Sequence, residues 1–324
     1  LLALLFMASS LLAQEAAPPK DEPKAAAKSA MPDQAALFKK FSETMSGAKL
    51  VGNFTVDGMP LDKLIKGRKI LTAQLLRARL APHTTPRKFA SSLAAAGINS
   101  VGRRGKHILI DLDNAKTLIV HLRMSGRFSL LPMEEDEPKF THAIFHLDGD
   151  EKLIFDDQRH FGLMKIVATA KLHEAKELSK LAPEPFGDAF TPEYLRTTLK
   201  ASKRSLKEFL LDQTKVTGLG NIYASEAMFH ARLHPAMRSN KVSRPRAALL
   251  FESIRTVLRT AIGGAEMLNV DPRNLEGSYF SQSDDPQWFV YDREGAACVN
   301  CKTSISRLKQ GGRSTYFCRA CQKR

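Results

Sequence analysis

The four cysteines of this 324-residue chain stand as two pairs, Cys298 with Cys301 and Cys318 with Cys321, and there is no fifth. Each CxxC lets two thiolates reach one ion from a tight turn, so two pairs supply the closed tetrahedral shell of a structural zinc. Two disulfides are the alternative. One within each CxxC would staple almost nothing, and a chain long enough to build its own core rarely needs such staples. The spacing predicts one structural zinc held by Cys298, Cys301, Cys318 and Cys321, and no HExxH motif suggests a catalytic metal. Between the pairs, SISRLKQ, the Gly311-Gly312 turn and RSTYF read as a β-hairpin that presents Arg313 at its tip.

What Arg313 is presented to follows from charge. The formal net charge is +15, against an ordinary 43% hydrophobic content for a globular chain. A chain this basic meets a polyanion: DNA, RNA or an anionic membrane. Lys and Arg cluster in KASKRSLK (200–207, including Lys203), in RSNKVSRPR (238–246) and in the hairpin. A solvated basic face is the plain alternative, but with a zinc hairpin in the same chain nucleic acid is the better reading. The N-terminus differs. LLALLFMASSLLAQ is apolar but too short to span a membrane, and reads as the apolar core of a secretory signal with its cleavage region at Leu12-Ala13-Gln14. Residues 14–33, rich in Ala, Pro, Lys and Glu, read as a disordered linker.

Periodicity orders the rest. KHILIDLDNAKTLIVHLRM reads as two strands, with Ile108, Ile110 and Leu112 alternating and then Leu118 and Val120. HAIFHLDGDEKLIFDD repeats the pattern around an Asp-Gly turn, and FGLMKIV adds a strand. Short antiparallel strands with tight turns predict a β-sandwich. After LAPEPFG the period becomes helical: Pro192 in a first turn, Leu195 and Leu199 four apart, then SLKEFLLDQ, a helix opened by Asn221 with an apolar stripe of Ile222, Met228 and Phe229, and RAALLFESIRTVLRTAI. The expected class is α+β multidomain: an antiparallel β-sandwich, a helical domain and a zinc-finger hairpin. The Gly-Leu-Gly-Asn at 218–221 could set backbone N–H groups and a helix N-terminus against a phosphate, although a glycine turn before a helix is more often only a turn.

Taken together these segments resemble the formamidopyrimidine-DNA glycosylase and endonuclease VIII family, in its formamidopyrimidine branch. LLDQTKVTGLGNIYASEAMFHARLHP is similar to that family's helix-two-turns-helix motif, and FVYDREGAACVNCKTSISRLKQGGRSTYFCRACQK to its zinc finger. VGRRGKHILIDL, HLRMSGRFSL and FDDQRHFGLMKI resemble stretches of its β-sandwich. The resemblance implies a division into a non-family segment at 1–64, a β-sandwich at 65–172, a helix-two-turns-helix domain at 173–270 and a zinc finger at 271–324. It implies base-excision repair: a glycosylase and abasic-site lyase, monomeric, acting on oxidised purines in duplex DNA. It also implies roles. Asn221, Arg313 and Lys203 would contact the DNA backbone. Lys106 and Arg313 would serve as acids in the two elimination steps. Met124, Arg159 and Phe161 would fill the gap left by an everted base. The plain alternative for Met124 and Phe161 is a place in the sandwich core, against which their closeness to Gly126 and Gly162 argues. Two positions depart from the pattern: His160 and Phe140 stand where the family commonly has an arginine and a histidine.

A larger departure concerns the nucleophile. The family uses a terminal proline amine followed by glutamate, and an internal proline nitrogen is an amide with no such reactivity. Neither Met31-Pro32-Asp33 nor Met59-Pro60-Leu61 reproduces that start, and Pro60 leaves no room for the family's first helix before Gly67. A gene fusion, a joined reading frame and a non-catalytic paralogue all fit. The readings carried forward are a glycosylase and lyase, a non-catalytic binder of damaged DNA, and a zinc-ribbon nucleic-acid protein without lesion preference. The signal-like start points to export, whereas zinc thiolates and DNA repair point to the cytoplasm beside the nucleoid.

Overall fold

The alternating segments assemble as strands β3 (Lys69–Leu75), β4 (Ala96–Arg104), β5 (His107–Leu112), β6 (Lys116–His121), β7 (Gly126–Pro132), β8 (Thr141–Leu147), β9 (Glu151–Asp157) and β10 (Leu163–Ala168). The computed structural model describes residues 55–56, 59–267 and 288–324. The signal-like opening, the 14–33 linker and Pro32 lie outside the described residues. The eight strands form one antiparallel array in the order β10-β6-β5-β4-β3-β8-β9-β7. Three register shifts interrupt the array: one in β8 steps past His142, and the other two fold it over. In β3 the pairing steps past Leu71, and in β4 past Asn99. An extra residue on one strand bends and twists the ladder, which is how a continuous sheet turns a corner. Strand β4 sits on that corner: Ala96 and Gly97 pair with β3, whereas Ile98 to Arg104 pair with β5.

Both layers feed one core. Ile108, Ile110, Leu112, Leu118 and Val120, the alternating residues, are all buried in it with Phe145 and Phe155. Helix α2 (Pro86–Leu93), preceded by the short α1 (Leu61–Ile65), adds Phe89 to the same core. Thr85 caps α2 by accepting from Lys88 N at 3.2 Å, and Pro86 opens it, where its missing N–H is no loss. The other face of β5, β6 and β10 is also covered. Ile119 packs there with Ala175 and Leu178. Between Pro60 and the Gly67 turn stands only the five-residue α1. Pro60 pairs with Thr55 in a two-residue ladder of β1 (Thr55–Val56) and β2 (Met59–Pro60), so its nitrogen is an internal amide.

The helical part comprises α3 (Pro192–Lys200), α4 (Leu206–Leu211), α5 (Asn221–His230) and α6 (Arg244–Met267). Thr191 and Ser205 cap α3 and α4 by accepting from Tyr194 N and Glu208 N. Leu195 and Leu199 are buried as their spacing predicts. Helix α5 departs from the expected stripe. Ala224 through Phe229 are all buried, including Ser225 and Glu226, while Ile222 is only half-buried. The reason is that two cores claim it. Ala224, Ala227 and Met228 belong to the helical core, whereas Phe229 packs with Val290, Ile305 and Tyr316 of the zinc-finger segment. That segment ends in the hairpin of β11 (Ile305–Gln310) and β12 (Arg313–Cys318). Gln310 faces Arg313 across a two-residue turn, with φ of 53° and 75° at Gly311 and Gly312. A tight turn of that hand needs positive φ at both positions, which glycine adopts without strain.

Candidate nucleic-acid interface

Three distant segments converge on one cationic point. Lys106 occupies the turn between β4 and β5, and its Nζ donates to Leu219 O at 2.6 Å, in the loop before α5. Asn221 opens α5, and its Nδ2 donates to Ser314 O at 3.0 Å, one residue beyond Arg313 in the hairpin. An amide nitrogen carries two hydrogens, so one donor of Asn221 is left for a ligand. Arg313 is exposed, and its charge reaches both Lys106 and the buried Lys207. Gly218 enters this loop with φ of 90°. At Gly220 an added Cβ would stand 3.7 Å from Lys106 Nζ, so the amine lies close over the helix start.

Burial and like charge dominate the electrostatics of these cations. Burial, then Arg313 and Arg123, pull the Lys106 amine down to about 8. Burial and then Arg313 take Lys207 to about 7, against the opposing pull of Glu226. His121 is held down to about 3, by burial and then by Arg123, His107 and Lys106. Desolvation and like charge both favour the neutral base, and a phosphate would reverse the second effect. The turn carrying Lys106 is braced by Glu184. Its carboxylate takes Arg103 and Arg104 at 2.9 Å each and Gly105 N at 2.7 Å. Burial pushes that carboxyl up, but these donors outweigh it and hold it below the usual range.

A second set of candidates lies on the sandwich. Met124 is 69% exposed and Phe161 45%, which excludes the core alternative for both. The guanidinium of Arg159 lies 5.5 Å from the centre of the Phe161 ring. Two loops carry them, and Asp157 ties the loops together. Its carboxylate accepts from Ser125 Oγ and from Gly162 N, the latter at 2.6 Å, and Ser125 Oγ accepts from Arg159 N at 3.0 Å. Gly126 and Gly162 let both loops close on Phe155: an added Cβ would lie 2.8 Å and 2.7 Å from its ring. The glycines that flank the wedge are thus a packing requirement. Lys203 is exposed in the turn ahead of α4, and no hydrogen bond or ion pair ties it to the other candidates among the described residues.

The four thiol sulfurs lie within 4.8 Å of one another. Cys298 and Cys321 are 3.9 Å apart and Cys301 and Cys318 3.5 Å. Sulfurs about 2.3 Å from a central zinc would be about 3.8 Å apart at tetrahedral corners. The donors therefore fit one structural zinc, and all four cysteines are free. Among the described residues no helix is long and apolar enough to cross a membrane.

Two residues here were not singled out by the sequence. Lys207, the last lysine of KASKRSLK, is fully buried and donates to Asn221 O and Ser225 Oγ at 2.7 Å each. Glu226 accepts the N–H groups of Phe289, Val290 and Tyr291 at 2.8–3.0 Å and so pins the entry to the zinc finger onto α5. A basic cluster and a polar residue in a helix carry no mark of burial in the sequence.

Known proteins are similar to this chain in sequence and fold. The N-terminal domain of formamidopyrimidine-DNA glycosylase matches residues 58–164, its H2TH domain residues 181–271, and the zinc finger found in FPG and IleRS residues 295–324. The formamidopyrimidine-DNA glycosylase of Carboxydothermus hydrogenoformans is 38% identical over 262 residues, 80% of this chain and 94% of that protein. That of Rickettsia felis is 39% identical over 263 residues, 81% of this chain and 93% of the relative. The Lactococcus lactis enzyme bound to DNA containing FAPY-dG superposes with a TM-score of 0.73 at 30% identity, covering 82% of this chain and 96% of that one. Its complex with DNA containing an abasic site gives 0.71 at the same identity, over 82% and 95%.

Proposed function

The chain belongs to the formamidopyrimidine-DNA glycosylase family, and from that premise we propose that it recognises an oxidised purine or an abasic nucleotide in duplex DNA for base-excision repair. The observation that carries this reading is the convergence of Lys106, Asn221 and Arg313 through the Leu219 and Ser314 carbonyls. In the proposed complex these three hold the phosphate beside the lesion, and zinc keeps the Arg313 hairpin in place. Met124, Arg159 and Phe161 enter the stack where the nucleotide has left it, since a base must leave the duplex before an enzyme can act on it. Lys203 adds an outer backbone contact. We place this work beside the nucleoid, where the substrate is and where thiols stay reduced.

The chemistry divides by substrate. Excising a base needs an amine aimed at C1′, and the Pro60 nitrogen is an amide within the β1–β2 ladder. Lys106, with its pKa lowered to about 8, is the amine at hand. At an abasic site the open-chain sugar already presents an aldehyde. In the fraction of complexes in which Lys106 gives up its proton and swings from the phosphate to C1′, its neutral amine adds there, and loss of water gives the imine. Loss of a C2′ proton then expels the 3′ phosphate; in the second elimination, loss of a C4′ proton expels the 5′ phosphate, with Arg313 as the acid toward that leaving oxygen, and hydrolysis of the imine frees Lys106. This favours strand cleavage at abasic sites over base excision, and the non-catalytic binder of damaged DNA is the second reading. Borohydride trapping separates them. Trapping on an abasic duplex that disappears in Lys106→Ala supports the lyase reading, and no trapping on either duplex supports the binder. Efficient trapping on an 8-oxoguanine duplex by Lys106→Ala would assign the nucleophile to another residue.

A further inference from the structure

Between the exposed Arg159 and Phe161, His160 turns inward. Its backbone is left-handed, with φ of 59°. Its Nδ1 meets Nε2 of His142 at 2.8 Å, and the two rings are within 10° of parallel with centroids 4.9 Å apart. His142 lies in β8 and is 3% exposed, while Phe140 sets its edge against His160 at 6.1 Å. The Arg159 and Phe161 side chains lean on each other, so the direction of the loop tip is set by its anchors. One is the Asp157 carboxylate with Ser125 Oγ, which together fix the backbone. The other is the imidazole pair, the hydrogen bond by which the loop reaches the interior through a side chain of its own tip.

We propose that His142 is a positioning residue for lesion recognition: through its hydrogen bond to His160 it holds Arg159 and Phe161 in the attitude that enters the duplex. This rests on the DNA reading above. A bond between two imidazoles needs one ring to donate and the other to accept, so it survives with one extra proton and fails with two. The groups around the pair are the carboxylates of Asp156 and Asp157, the guanidiniums of Arg77 and Arg159, and the Lys139 ammonium over Phe140. Burial and then the neighbouring His160 hold His142 below the usual histidine range, which keeps the pair in its bonded form at neutral pH.

The test is the ratio of affinities for a duplex with an abasic analogue and for the intact duplex, with 2-aminopurine opposite the gap reporting insertion. His142→Ala should cut that ratio roughly tenfold, the size of about one hydrogen bond, with an unchanged salt slope because no phosphate contact is touched. His160→Ala should give the same loss, and the double variant no more than either alone. In the unaltered chain the ratio should fall on acidification, once both rings carry a proton, whereas His142→Gln, which cannot take a proton, should keep a constant ratio over the same acidic range. A merely structural histidine would lower the melting temperature and both affinities together and leave the ratio and its pH profile alone. If the chain discriminates and His142→Ala and His160→Ala discriminate equally well, the inference is wrong. If the unaltered chain shows no preference at any pH, the DNA-lesion reading fails and this inference with it.

Discussion

The phosphate-facing and stack-entering groups are built on opposite plans. Lys106 and Leu219 are 113 residues apart in sequence, and Asn221 and Ser314 are 93 apart, yet each pair is joined by one short hydrogen bond. Met124, Arg159 and Phe161 come from two neighbouring loops, and their side chains stand in solvent. The difference follows from what each group needs. Cations crowded together repel and lose hydration, so they stay converged only if carbonyls, a carboxylate and a metal hold each one. A residue destined for the base stack needs its surface free, so its support comes from the backbone beneath, through Asp157 and the two glycines against Phe155. The converged cations are thus vulnerable through their scaffolding, and the wedge through its own side chains.

The sharpest way to break this contrast is to remove the metal. Chelation or Cys318→Ala frees the hairpin, and with it both Arg313 and the carbonyl that holds Asn221. Affinity for an abasic duplex should fall at least ~100-fold, as several phosphate contacts go together, while the sandwich keeps its own melting transition. Metal analysis and calorimetry check this; full affinity in zinc-free protein would show that the hairpin holds itself.

Next come the individual contacts. Arg313→Ala and Asn221→Ala should each weaken binding by about 1–3 kcal/mol, with the double variant losing less than the sum because Asn221 positions the strand that carries Arg313. Strict additivity would separate the two. The pH dependence is smaller. A phosphate raises the Lys106 pKa from about 8, so binding takes up a proton. Affinity is then fully present below the free value and lost as pH rises through the bound one. Titration calorimetry in buffers of different ionisation heat reads the proton directly, and the absence of uptake at and just above the free value of about 8 would remove Lys106 from the contact. Smallest is Met124→Ala. The abasic-to-intact ratio should drop roughly threefold to tenfold at constant salt slope, since only apolar burial is lost.

Legibility in the sequence follows the same division. The Gly311-Gly312 turn, the Pro192 helix start and the alternation in β5 are local, and the structure has them where the residues point, whereas β6 is buried on both faces. The zinc site is legible because only a metal explains two CxxC pairs so spaced. Loop-tip positions for Met124 and Phe161 could be read from nearby glycines, although the reason, closure on the Phe155 ring, could not. Lys207 shows the limit. It stands in a run of surface cations, and nothing local distinguishes the one lysine that α5 buries. Glu226, Glu184 and His142 are silent for the same cause: each acts on residues that the chain brings near only after folding.

Helix α5 also dictates an order of assembly. Glu226 leaves the ribosome 63 residues before Phe289, the first of the three backbone donors it will bind. Until then a carboxylate and the Phe229 ring lie open on a helix whose other side is already claimed by the helical core. The zinc-finger segment can therefore cover that side of α5 only once Phe289 to Tyr291 have been made, and metal capture is tied to that docking. A cell short of zinc would accumulate a species with folded sandwich and helices and one raw seam along α5, open to proteases and to neighbouring chains.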